Sequence, residues 1–192
     1  AQSLGDFEFI ICDNSSSDRT VEIARSFADP RIRVLQNERN LGFGPNWNRC
    51  LQETRGRYIK ILPHDDLLHP RCLEAQARIL DEDPQEAIAL VFCARRIIGP
   101  RGKELMTRGP RGPKAIHSGP EMARKTALSG TNPIGEPGAV LFRAAAARAA
   151  GPFNESRPFV IDIDYWLRLL KFGNAVYLPE ALASFRISSG SQ

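Results

Sequence analysis

Apolar runs in the first half of the chain are short, and they alternate with stretches of helical periodicity. Residues 7–12 (FEFIIC), 31–36 (RIRVLQ), 59–62 (IKIL) and 88–94 (IALVFCA) are rich in Ile, Val, Leu and Phe, as buried strands are. Between them, residues 20–27, 45–54 and 70–80 space their apolar positions three or four apart, which suits helices covering a sheet. The alternation predicts an α/β fold whose mixed, mostly parallel sheet is flanked by helices. Punctuation agrees with it. Asp18 caps the first helix, Pro45 and Pro70 open the next two, and Gly56 and Asp83-Pro84 close those.

The second half is less regular. Ser118-Gly119-Pro120-Glu121 is a capping box that opens a helix to Leu128, and the turn-rich residues 129–137 form a loop. A short strand over 139–142 precedes an alanine-rich helix, 143–150, closed by Gly151. A helix over 161–172 ends at Gly173, and residues 176–178 and 183–187 read as two closing strands. The basic, Gly/Pro-rich residues 100–114 fit a solvated loop, with contact to an anionic substrate as the second reading.

Composition narrows the class. At 192 residues the chain is one domain with ordinary hydrophobic and charged fractions and a net charge of +4. No apolar run reaches spanning length. The four cysteines form no CxxC pair, which fits reduced thiols and a cytoplasmic location, at most with peripheral contact to a membrane face. Three histidines without metal-site spacing argue against zinc. Nucleic acid is not an expected partner, because the basic residues gather in one loop without interleaved aromatics.

Chemistry concentrates at the ends of the apolar runs. Residues 59–62 stop at Pro63-His64-Asp65-Asp66, and a strand delivering two acids at its carboxyl end puts them where open α/β sheets bind ligands. Such a pair suits a hard divalent cation carrying phosphate oxygens, although a plain turn and helix cap explains it too. Asp13 ends the first strand in the same way. A third acidic group, Asp162-Ile163-Asp164, opens a helix whose macrodipole it would favour. Its functional reading is a general base at a cleft, with Tyr165 and Trp166 as an apolar wall.

Taken together these pieces resemble the family 2 glycosyltransferases of GT-A type. The resemblance rests on residues 12–20 (CDNSSSDRT), Asn40-Leu41-Gly42, Gly56-Arg57-Tyr58-Ile59 leading to Asp65-Asp66, and Asp162-x-Asp164 followed by Trp166-Leu167-Arg168-Leu169. It implies an inverting transfer from a nucleotide-diphosphate sugar, most simply a UDP-sugar, to a saccharide, lipid-linked or protein hydroxyl. Asp13, Asn40, Gly42 and Asp65 would contact the nucleotide-sugar, and Glu136 would lie beside donor sugar and acceptor. Asp66 would hold Mn²⁺ or Mg²⁺, and Asp162 would be the base. Residues 1–98 would then be the nucleotide-binding part, and 99–192 the acceptor and catalytic part.

Three departures from the family pattern stand out. The usual first strand and its base-enclosing loop are missing, so the chain is expected to be a fragment of a longer protein. Ser188 occupies the place of a metal-reaching histidine after Arg186-Ile187, and Pro63 stands where a further aspartate is common. The competing readings are a non-catalytic carbohydrate- or partner-binding module on the same fold and a nucleotidyltransferase.

Overall fold

The computed structural model of the protein describes residues 2–187. Its elements follow in chain order: β1 (Phe9–Asp13), α1 (Thr20–Ser26), β2 (Ile32–Gln36), α2 (Phe43–Glu53), β3 (Tyr58–Ile59), β4 (Leu67–Leu68), α3 (Cys72–Asp81) and β5 (Ile88–Ile98). The second half continues with β6 (Glu104–Arg108), β7 (Ala115–His117), α4 (Gly119–Ser129), β8 (Val140–Arg143), α5 (Ala144–Ala150), α6 (Ile161–Leu169) and β9 (Asn174–Arg186). Short 3₁₀ turns at Pro137–Ala139 and Pro158–Val160 introduce β8 and α6.

Two sheets result. β1 and β2 pair in parallel as a two-stranded sheet, while seven strands form the other in the order β3-β8-β5-β9-β4, with β6 on β5 and β7 on β9. The sheet is mixed as expected, but parallel pairing is confined to β1·β2 and β5·β9. Every other pair is antiparallel. Only β5 and β6 are joined as a hairpin; the other antiparallel pairs join strands separated by several intervening elements.

The core sits on both faces of β5 and β9. One face packs Phe92, Phe142 and Tyr177 against Met122, Tyr165, Trp166 and Leu169 from α4 and α6. The opposite face packs Val91, Leu141 and Val176 against Cys72, Ala77 and Leu80 of α3. Arg143 is buried at the edge of this layer, where its guanidinium donates to the carbonyls of Leu80, Asp83 and Ile88 and to the Asp83 carboxylate. An arginine is tolerated there because each of those bonds replaces lost water.

Helix signals fall close to their expected places. Ser118 Oγ accepts from Glu121 N at 3.3 Å and caps α4, and Gly130 ends it with a φ of 62°. Asp18 accepts from Thr20 N at 2.9 Å at the start of α1. The α2 helix begins two residues earlier than Pro45, whose missing N–H costs nothing inside the first turn.

Several expectations fail in the second half. Residues 100–114 are not simply a loop, because β6 folds back on β5 as a hairpin. Residues 174–186 form one continuous strand instead of two, with the register slipping around Pro179, which has no N–H for the ladder. The strand expected over 59–62 pairs only at Tyr58–Ile59. Beyond it Lys60 turns its ammonium to the carbonyls of Gly138 and Val140.

Candidate active site

Asp65 and Asp66 sit in a turn after β3, and Asp66 is buried with 6% exposure. The backbone N–H of Arg186, at the end of β9, donates to Asp66 Oδ1 at 3.0 Å, and the Arg186 Nε donates to the Asp65 carbonyl at 2.9 Å. Gly138 lies against this carboxylate: a Cβ placed on it would sit 3.5 Å from Asp66 Oδ2, an ordinary contact distance. Burial is the main cause that pushes the Asp66 carboxyl up to about 7, and the charges of Asp65 and Glu136 add to it.

Glu136 shares the crevice with Asp66, Arg95 and Gly138. Its carboxylate accepts from Arg95 Nε at 2.6 Å, and both side chains are largely withdrawn from water. Arg95 lies on the central strand β5 and also donates through Nη2 to the carbonyl of Asn132 at 3.0 Å. Asn132 closes its own loop through Gly135, whose φ of 113° requires a residue without a side chain. The same asparagine donates to Asp162 Oδ2 at 2.8 Å. Asp162 Oδ1 accepts from Ile163 N at 2.8 Å, and burial raises its carboxyl to about 6 against the lowering effect of that bond. Asp66 and Asp162, far apart in sequence, therefore meet across one chain of contacts through Glu136, Arg95 and Asn132.

The nucleotide-side candidates form a different structure. Asp13 is buried with 5% exposure, and its carboxylate accepts from Ser16 N at 3.2 and 3.4 Å while its carbonyl accepts from Asn37 N. Beside it, Asn14, Asn37 and Asn46 interlock, and Asn14 reaches Asn40 at 2.8 Å. Asn40 Oδ1 also takes Gly42 N at 2.9 Å, and Gly42 has a φ of 82°. This loop abuts the Asp162 side through α2: a Cβ placed on Gly44 would lie 3.3 Å from the side chain of Ile161, the residue before Asp162. Asn48 further ties α2 to Phe153 and Glu155. Among the described residues no hydrogen bond or ion pair joins Asp13 to the Asp65-Asp66 turn.

Two expectations about side chains change. Tyr165 and Trp166 do not wall a cleft, since both are fully buried. Tyr165 stacks on Phe153 with ring centroids 3.9 Å apart, and the Trp166 indole donates to Gly135 O at 3.0 Å, which steadies the loop under Asp162. Arg95 and the role of Asn132 were not legible as site features. An arginine inside the apolar run of β5 was the available signal, because a buried guanidinium requires a carboxylate.

A metal would find only part of its shell here. Among the described residues no group of three or more His, Cys, Asp and Glu side chains could hold an ion, and Ser188 lies outside the described residues. The buried Asp66 carboxylate, with Asp65 beside it, fits a hard cation whose remaining ligands are phosphate and water oxygens. No helix of the described residues is long and apolar enough to cross a membrane.

Comparison with known proteins adds the family. Residues 1–150 match the model of glycosyl transferase family 2. EpsE of Bacillus subtilis, named provisionally as a glycosyltransferase, is 31% identical over 98% of this chain and 66% of its own length. A Mycobacterium tuberculosis protein named as uncharacterized is 32% identical over 97% of this chain and 60% of its own length. The chain thus spans roughly two thirds or less of these relatives. In fold it superposes on S. aureus TarS in complex with UDP-GlcNAc with a TM-score of 0.78, at 18% identity, over 99% of this chain and 53% of that one. Sequence match and GT-A fold agree: the chain belongs to glycosyl transferase family 2.

Proposed function

We propose that the protein transfers a sugar from a nucleotide diphosphate to an acceptor hydroxyl with inversion. The observation that carries this reading is the convergence of Asp66 and Asp162 on one Arg95–Glu136 pair. Two acids whose protons are held unusually firmly are costly for stability and are typical of working sites. Family membership and a fold shared with a UDP-sugar complex of TarS support the donor class.

The roles follow from position. Asp13 and the Asn40–Gly42 loop lie where the base would be held, and Asp65 would meet the ribose. Asp66 would contribute a carboxylate oxygen to Mn²⁺ or Mg²⁺, and when bound such a cation neutralises charge on the departing diphosphate. Asp162 takes the proton of the acceptor hydroxyl as its oxygen bonds to the anomeric carbon. The bond from that carbon to the phosphate oxygen breaks, and its electron pair leaves with the diphosphate. Asn132 and the Ile163 N–H hold the Asp162 carboxylate in place for this step. Glu136, locked to Arg95, would border donor sugar and acceptor rather than exchange protons.

Residues 1–98 would serve the nucleotide and 99–192 the acceptor and base, although β5 joins both parts in one sheet. The acceptor would be a saccharide, lipid-linked or protein hydroxyl. Four free thiols fit a reducing compartment such as the cytoplasm. The test is calorimetry of UDP-sugars with and without Mn²⁺. Micromolar binding that needs the ion is expected, and binding of no nucleotide-sugar in either condition would contradict the proposal.

A further inference from the structure

We propose that the β5–β6 hairpin and the segment leading to β7 form a docking surface for an anionic lipid membrane. Every residue of β6 is exposed, and Leu105 and Met106 are 57% and 50% accessible. Ile116 on β7 is 66% exposed. β6 pairs on the outer edge of β5 and β7 on the outer edge of β9, so Ile116 lies apart from Leu105 and Met106. The connection between the strands passes the Tyr177 side chain, since a Cβ on Gly109 would fall 2.8 Å from its hydroxyl. The loop between them crosses from one edge of this strand pair to the other and leaves Arg111 and Lys114 exposed.

Charge identifies the occupant. Residues 99–118 hold five basic side chains (Arg101, Lys103, Arg108, Arg111, Lys114) against the single acid Glu104, a net +4 that equals the net charge of the whole sequence. Glu104 is already engaged by Arg96 at 3.3 Å. A merely solvated basic hairpin would not also present two large apolar side chains, Leu105 and Met106, one on each face of an edge strand. Cations at headgroup level with apolar residues entering the interface are what a peripheral membrane surface needs. Nucleic acid is the poorer match, because residues 99–118 include no Phe, Tyr or Trp to stack on bases.

Position adds a consequence for the site. Arg186 donates to the carbonyls of Gly99 and Pro100 at the base of the hairpin and to that of Asp65. A hairpin seated on a membrane would therefore hold the Asp65-Asp66 turn close to the lipid surface, where a lipid-linked acceptor would present its hydroxyl.

Co-sedimentation with vesicles tests this. The protein is expected to bind phosphatidylglycerol-containing vesicles at least about a hundredfold more tightly than pure phosphatidylcholine, with the preference shrinking as salt rises. Arg108→Gln/Arg111→Gln/Lys114→Gln should lower that affinity on the order of a hundredfold, at about fivefold per cation. Leu105→Ser/Met106→Ser should also weaken it, with UDP-sugar binding unchanged in both variants. Equal binding of the unaltered protein to both vesicle types would overturn the proposal, as would full retention of affinity in either variant. The salt dependence of the unaltered protein supplies a test even if a variant misfolds, and loss of donor binding alone would bear on the transferase reading instead.

Discussion

Asp13 and Asp66 are buried to nearly the same degree, yet their surroundings treat them in opposite ways. Asp13 feeds its own turn, with both carboxylate oxygens within reach of Ser16 N. Asp66 receives one backbone N–H and otherwise faces Asp65 and Glu136, so its proton is held up to about 7. Asp162 resembles Asp66 in this respect, at about 6. The contrast separates two meanings of a buried acid. Asp13 completes its own turn whatever it binds; for Asp66 and Asp162, the proposed ligand and reaction would repay the cost of burial.

The contrast can be broken at several points, the first with the largest effect. Arg95→Met should cost about 3–5 kcal/mol of stability, because it leaves the Glu136 carboxylate and the Asn132 carbonyl buried without their partner. Thermal unfolding would measure it, and a loss below about 1 kcal/mol would show the pair to be incidental. Asp66→Asn should do the reverse. It should abolish metal-dependent nucleotide binding while raising stability at neutral pH by roughly 1–2 kcal/mol, since the neutral amide avoids ionising a buried group.

The sign of that second effect follows from linkage. Asp66 keeps its proton in the folded state up to about 7 but loses it near the ordinary carboxylate value when unfolded. Between those values the folded state binds more protons, so stability falls as pH rises toward 7. The stabilisation by Asp66→Asn should therefore fade as pH falls toward the ordinary carboxylate value and vanish below it, where both states hold the proton. Transfer activity should rise with pH through about 6, as Asp162 becomes free to accept a proton.

Asp13→Ala sharpens the comparison from the other side, with the smallest effect on the fold. Losing the Ser16 bond should cost about 1 kcal/mol. UDP affinity should fall more than that of pyrophosphate if Asp13 holds the base, and equal losses would place its role elsewhere.

Much of this arrangement was legible along the chain because strand ends carried it. Asp13, Asp65, Asp66 and Asp162 stand where apolar runs stop or a helix starts; in the fold Asp13 ends β1 and Asp162 lies in the first turn of α6, while Asp65 and Asp66 lie past the end of β3, just before β4. The hairpin of β6 was hidden because a strand exposed on both faces shows no alternation. β9 seemed two strands because Pro179-Glu180 punctuates it, while its length is set by pairing with β5. Tyr165 and Trp166 were misassigned for a similar reason. Helical spacing says which residues share a face, but only the tertiary contact with Phe142 and Phe153 makes that face the core.

The most direct measurement is single-turnover transfer by Asp162→Asn in the full-length protein, paired with donor calorimetry on the same sample. Transfer should fall about 10²–10⁴-fold while donor affinity stays within about twofold, because the amide oxygen can still accept one of the bonds from Asn132 and Ile163 N but the amide cannot accept the proton. Undiminished transfer, or loss of donor binding in step with transfer, would contradict the assignment of Asp162 as the base.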